Sequence, residues 1–350
     1  AAGAFPLVLY HAGYGSSFED NAVLCEFLAS HGYVVVGSAF LEGDGGSFNI
    51  DAERDSEEDL EYLVRLARET LGIDWHRVAM VGHSGGAHTA VRFISRTSSP
   101  LDAMVSLDTT QDYHSFSDHR WDDMVPGALD SAEEIDIPLM FAARQHALFR
   151  MADRLTDSRR TYITLADLEH NSFISQGVFA AEMREGPEAA SVRAGYSELC
   201  RAVRLFRDSE LVGSESAQSE LAIRWAGSAP GVSPVFVERV AAGEAAPGYD
   251  DDSGLPPTPR QMAAMLDRGE SARAGELLVR FRDDPRARPF AETEFAISVV
   301  FQLVHEDRAA EAAAMLDSFA TERSEILRIL GALESMYSRI GATRLAEPYA

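Results

Sequence analysis

Short apolar runs alternate along this chain with longer stretches whose apolar residues recur at helical spacing. Pro6 to Tyr10 is an unbroken apolar run and predicts a strand. From Asn21 to Ser30, Val23, Leu24, Phe27 and Leu28 share one helical face, and Gly32 follows as a stop. The β-branched run Tyr33-Val34-Val35-Val36 predicts a buried strand. From Ser56 to Leu71, Leu60, Leu63, Val64, Ala67 and Leu71 repeat at helical spacing, with acidic residues in the first turn where the helix dipole favours them. Further strands are predicted at 77–81, 101–107, 137–143 and 162–165, and helices at 87–94 and 188–207. Strands alternating with helices imply an α/β fold, a mostly parallel sheet covered by helices on both faces.

The pattern changes after about residue 185. Residues 242–260 collect Gly243, Pro247, Gly248, Asp250, Asp251, Asp252, Pro256, Pro257 and Pro259, a linker composition. The expected division is a catalytic domain over 1–241, a linker over 242–260 and an all-α region over 261–350. In that last region Gly269, Asp307 and Gly341 mark turns between helical segments, spaced 38 and 34 residues apart. Such spacing resembles the tetratricopeptide helix-turn-helix repeat.

Composition narrows the function classes. The chain has 350 residues, 46% of them hydrophobic and 25% charged, the balance of a globular protein. A net charge of −25 argues against nucleic acid or an anionic membrane surface as a partner. No apolar run reaches the length of a membrane span. Cys25 and Cys200 fit no metal-ligand spacing, and Cys25 reads as a core thiol. If a signal peptide has been removed ahead of Ala1, an extracytoplasmic location is favoured.

The chemistry centres on Gly82-His83-Ser84-Gly85-Gly86, a G-x-S-x-G placed between a predicted strand and a predicted helix. That context puts the serine on a sharp, strained turn with its hydroxyl exposed at the carboxyl end of the sheet. Serine alone is a poor nucleophile; it needs a base and a carboxylate to orient that base. Asp108 ends the strand Met104 to Leu107, whereas the next strand, ending Ala142-Ala143-Arg144-Gln145-His146, offers no carboxylate. Asp108 is therefore the expected acid. His170 follows the last of these strands on a loop able to return to Ser84 and is the expected base; His83 and His88 adjoin the serine too closely. The oxyanion hole is assigned to the main-chain N–H groups of Gly85 and of Tyr14, the latter in the glycine-rich loop after the first strand.

Together these residues resemble the α/β-hydrolase superfamily, and within it the platelet-activating-factor-acetylhydrolase-like and dienelactone-hydrolase-like serine hydrolases. Leu28-Ala29-Ser30-His31-Gly32-Tyr33-Val34-Val35 is similar to that group's helix-to-strand passage, Gly82 to Gly86 to its elbow, and Glu169-His170-Asn171-Ser172-Phe173 to its histidine loop. The acetylhydrolase branch carries its acid after the strand that follows the nucleophile strand, where Asp108 stands. Dienelactone hydrolases carry it one strand later and use a cysteine nucleophile, and this chain matches neither feature. The resemblance spans roughly residues 5–210. It implies an α/β-hydrolase fold and cleavage of small-molecule carboxylic esters with small acyl groups, through an acyl-enzyme and without a cofactor.

Residues 109–135 are long for a connection and leave the acid's strand, so they are expected to overhang the pocket. Tyr113 and Trp121 from that loop, His146 after the next strand, and His83 are the expected substrate contacts. Neither His114, Asp118 and His119 nor the loop Leu41 to Ser47 follows a metal-binding signature, so no metal is assigned. The helical tail is expected to serve a homodimer or a protein partner. The alternative reading is an inactive hydrolase-like scaffold whose tail binds that partner.

Overall fold

The computed structural model describes residues 4–40, 50–70, 72–95, 100–108, 135–144, 148–165, 167–184, 186–221, 224–225, 235–246, 248–284 and 287, with 296, 299–300, 303, 308–319 and 331. It forms two compact units. The first holds most of the elements: β1 (Phe5–Tyr14), α1 (Ala22–Ser30), β2 (Val34–Phe40), α2 (Ile50–Thr70), β3 (Ile73–His83), α3 (Gly85–Ile94), β4 (Ala103–Leu107) and β5 (Leu139–Arg144). After α4 (Arg150–Asp153), which belongs to the second unit, come β6 (Arg160–Leu165), α5 (Ser175–Arg184), α6 (Pro187–Glu210), α7 (Glu215–Glu220), β7 (Arg224–Trp225) and β8 (Val235–Val240).

Among the described residues the strands form one eight-stranded sheet in the order β2-β1-β3-β4-β5-β6-β8-β7. The first six strands run parallel, and β8 and β7 close the edge antiparallel. The mostly parallel sheet is what the alternation predicts, and its arrangement is the α/β-hydrolase fold that the resemblance implies. β4 is buried along its whole length, as is β5 up to Arg144, because helices cover both faces. Side chains pointing one way, among them Val8, Tyr10, Val81, Val105 and Ile163, join Leu24 and Leu28 of α1 and Val192, Tyr196, Leu199, Val203 and Phe206 of α6 in one core. Their neighbours in sequence, Leu7, Leu9, Met80, Met104 and Phe141, are equally buried and point the other way. Each such large side chain stabilises by about 1.5–3 kcal/mol relative to an exposed one. α2 packs on α3, and Arg92 Nε pairs with the buried Glu57 Oε1 at 2.5 Å.

Several elements go beyond the sequence pattern, β8 and α5 among them. β8 (Val-Phe-Val-Glu-Arg-Val) pairs antiparallel with β6, with Arg160 opposite Val240 and Leu165 opposite Val235. α5 has Gly177 in its interior and leaves Phe179 and Met183 largely exposed, so it shows no clean apolar stripe. Cys25 and Cys200 are free and buried in the core.

The second unit contains α8 (Pro259–Asp267), α9 (Ser271–Arg280) and α10 (Ala309–Phe319). Thr258 starts α8 with a capping box: its side chain accepts from Gln261 N–H, and Gln261 returns the bond to Thr258 N–H. Arg260, buried, pairs with Asp153 of α4 at 2.6 Å. Gly269, at φ 78°, turns the chain from α8 into α9, and α9 packs on α10. The unit is helical, as expected of the tail. The other two turn positions, Asp307 and Gly341, lie outside the described residues, so the repeat period stays an expectation. Among the described residues, no helix is long and apolar enough to cross a membrane.

Candidate active site

β3 ends at His83 and α3 begins at Gly85, which leaves Ser84 alone on the turn between them. Its φ of 52° and ψ of −120° are costly for a residue with a side chain, on the order of 1–3 kcal/mol. Main-chain bonds hold it there: Ser84 N–H donates to Leu107 O at 3.0 Å, and Ser84 O accepts from Ala87 N–H at 3.0 Å. The flanking glycines make the turn possible by close approach. A Cβ on Gly82 would stand 2.5 Å from Gly86 O, and one on Gly86 would collide with the carbonyls of Ala12 and His11.

Asp108 follows β4 directly and is wholly buried. Its φ is also positive, 41°, and its N–H donates to Ala142 O at 2.7 Å. One carboxylate oxygen, Oδ1, accepts the main-chain N–H of Arg144 at 3.0 Å, and the Arg144 Nε lies 3.7 Å from Oδ2. Burial alone would raise this carboxyl. The hydrogen bond from His170 and the charge of Arg144 outweigh burial and hold it below the ordinary carboxylate value.

His170 opens a 3-10 turn, His170–Phe173, on the loop after β6. Its Nδ1 lies 2.7 Å from Asp108 Oδ2 and its Nε2 lies 2.9 Å from Ser84 Oγ. A carboxylate only accepts, so Nδ1 carries the proton and Nε2 turns its lone pair to the serine hydroxyl. The structure thus brings together the three residues that the sequence singles out, from three different strand ends. Such a relay can take a proton from Ser84 as the oxygen attacks an electrophile and can return it to a leaving group.

Gly85 is the first residue of α3, so its N–H is one of the helix's first four, which have no partner within the helix. Tyr14 ends β1, and the neighbouring Gly13 lies against the elbow: a Cβ there would stand 3.2 Å from Ser84 Cβ. Gly85 and Gly13 therefore flank the serine from two elements, and Tyr14 follows Gly13 at the end of β1. His83 is placed differently from the substrate wall expected of it. It is 3% exposed, its Nε2 donates to the main-chain O of His170 at 3.2 Å, and its ring lies 5.0 Å from the His170 ring. Tyr113, Trp121 and His146 lie outside the described residues, as do residues 109–134 of the connection 109–135 expected to overhang the pocket and residues 41–47. Among the described residues no group of three or more His, Cys, Asp or Glu side chains is placed to hold a metal.

Arg144 is the site residue that the sequence reading passes over. The signal lies in the register: β4 and β5 pair Leu107 with Ala142, which sets Arg144 beside the residue after β4.

Residues 1–115 match the family model described as Chlorophyllase. That stretch carries Ser84 and Asp108, and His170 lies beyond it. Among solved structures, the chain is similar to one titled "Ferulic acid esterase from Streptomyces cinnamoneus", at 21% identity over 61% of this chain and 69% of that one, with a TM-score of 0.46. No curated protein matches the chain.

Proposed function

We propose that this protein is a serine hydrolase of carboxylic esters. The observation that carries the reading is the single imidazole of His170, 2.9 Å from Ser84 Oγ on one side and 2.7 Å from Asp108 on the other. The match of residues 1–115 to the Chlorophyllase model supports an ester hydrolase of the α/β-hydrolase type. Ser84 Oγ attacks the ester carbonyl while His170 Nε2 takes its proton. Asp108 fixes the imidazole tautomer and stabilises the imidazolium. The N–H groups of Gly85 and Tyr14 bind the oxyanion, aided by the positive end of α3. His170 then protonates the departing alcohol. Water, activated by the same imidazole, releases the carboxylate and restores Ser84. No cofactor enters these steps, and small acyl groups are the expected substrates.

The test is hydrolysis of p-nitrophenyl esters of graded acyl length by the purified chain and by Ser84→Ala. The wild type turns over the short esters, and the variant loses kcat by on the order of a millionfold. A folded wild type inert towards every ester, or a variant as active as the wild type, overturns the reading.

A further inference from the structure

The residue ahead of the nucleophile has no part in the proton relay, yet it touches the relay's centre. We infer that His83 is a positioning residue: its Nε2–H holds the main-chain carbonyl of His170 and its ring braces the catalytic imidazole against the nucleophile elbow. This rests on the serine-hydrolase reading of the site.

Hydrogen-bond chemistry fixes the direction. The partner of His83 Nε2 is a carbonyl oxygen, which only accepts, so Nε2 carries the proton. His83 ends β3 and is immobilised by the sheet, since its main chain pairs with Leu107 of β4 and its side chain is buried. His170 sits instead on a loop. The far end of that loop is pinned at Ser175, whose N–H donates to Asn21 Oδ1 at 3.1 Å and whose hydroxyl donates to Asp20 O at 2.9 Å. The near end is held at His170 itself, by His83. The two rings lie 5.0 Å apart and are tilted by 33°, so His83 limits the swing of the His170 ring away from Ser84. The other edge of His83 lies against the end of β1: a Cβ on Gly13 would stand 3.0 Å from His83 Nδ1. One buried imidazole therefore adjoins the elbow, the histidine loop and the end of β1.

This bracing requires a neutral ring, because His170 becomes positive during acyl transfer. Burial, followed by the neighbouring His170, pushes His83 down to about 4, so it stays uncharged at neutral pH.

The inference is tested with His83→Leu, which fills similar space without a donor, and His83→Gln, whose amide N–H can reach the same carbonyl. Two readouts are taken on the full chain: kcat and KM on a p-nitrophenyl ester, and hydrogen–deuterium exchange of the peptide spanning residues 167–175. His83→Leu is expected to lower kcat about 10- to 100-fold with little change in KM, the cost of a misplaced catalytic group. It also speeds exchange in that peptide, and His83→Gln recovers most of both effects. Equal impairment in the two variants, a rise in KM with kcat intact, or unchanged exchange in His83→Leu would each overturn the inference. The exchange measurement does not depend on turnover. An inactive wild type thus defeats the esterase reading, whereas unchanged exchange in His83→Leu defeats the role given to His83.

Discussion

The Asp108 carboxylate and the His170 imidazole meet at 2.7 Å, although 62 residues separate them in the chain. The carboxylate is buried, accepts a main-chain N–H from Arg144 on its other oxygen and stays ionised. Asp108→Asn keeps the shape and removes the charge that selects the Nδ1–H tautomer. We expect kcat to fall by about 10⁴ with KM nearly unchanged. Steady-state kinetics on a short ester checks this. A variant within tenfold of wild type would mean that another group orients the histidine.

The elbow depends on space as much as on chemistry. A methyl group on Gly86 has nowhere to go, because the carbonyls of His11 and Ala12 already occupy the position. Gly86→Ala is expected to cost about 1–3 kcal/mol of stability, the usual penalty of overpacking. It should also displace the end of β1 at His11 and Ala12. Urea unfolding gives the first number and ester turnover the second. An unchanged unfolding midpoint would show that the approach of β1 to α3 is looser than the structure has it.

Three buried histidines make the fold sensitive to acid. Burial pushes His11 down to about 4, His83 to about 4 and His88 to about 3. In the unfolded chain each titrates near 6.5. Between about pH 6.5 and 4 the unfolded chain therefore binds up to three protons that the folded chain refuses, and stability falls as the pH falls. The slope is about 1.4 kcal/mol per histidine for each pH unit in that window. Urea unfolding at pH 7.5, 6.5, 5.5 and 4.5 measures it. His11→Phe, which keeps a ring against Phe40, should remove one proton's share of the slope. An identical slope in that variant would show that His11 titrates normally in the folded chain.

Much of this architecture is legible in the sequence because parallel strands buried on both faces are written as apolar runs. β1 to β6 and the helices α1, α3 and α6 follow from that pattern to within a few residues, although β2, expected to be buried, is an edge strand and half-buried over most of its length. β8 is not legible in the same way. It is a short antiparallel strand near the sheet edge, and its register depends on β6, 70 or more residues earlier, rather than on anything local. α5 hides because Gly177 interrupts it and two of its large apolar residues face outward. At the site, Ser84 and Asp108 stand just past the ends of predicted strands and His170 on the loop that follows one, where sheets of this kind gather their polar groups. The contributions of Arg144 and His83 are not visible in the sequence. Arg144 gives its own main-chain N–H to Asp108 and His83 bonds the main-chain oxygen of His170, and residue spacing carries no record of either bond.

The most direct test of the whole account is covalent capture of the nucleophile. The purified chain is treated with a fluorophosphonate probe, digested, and the adduct is located by peptide mass spectrometry, with Ser84→Ala and His170→Ala in parallel. The expected result is one equivalent of adduct on Ser84, none in Ser84→Ala and a strongly slowed reaction in His170→Ala. A folded wild type that takes up no probe, or an adduct on any other residue, would contradict it.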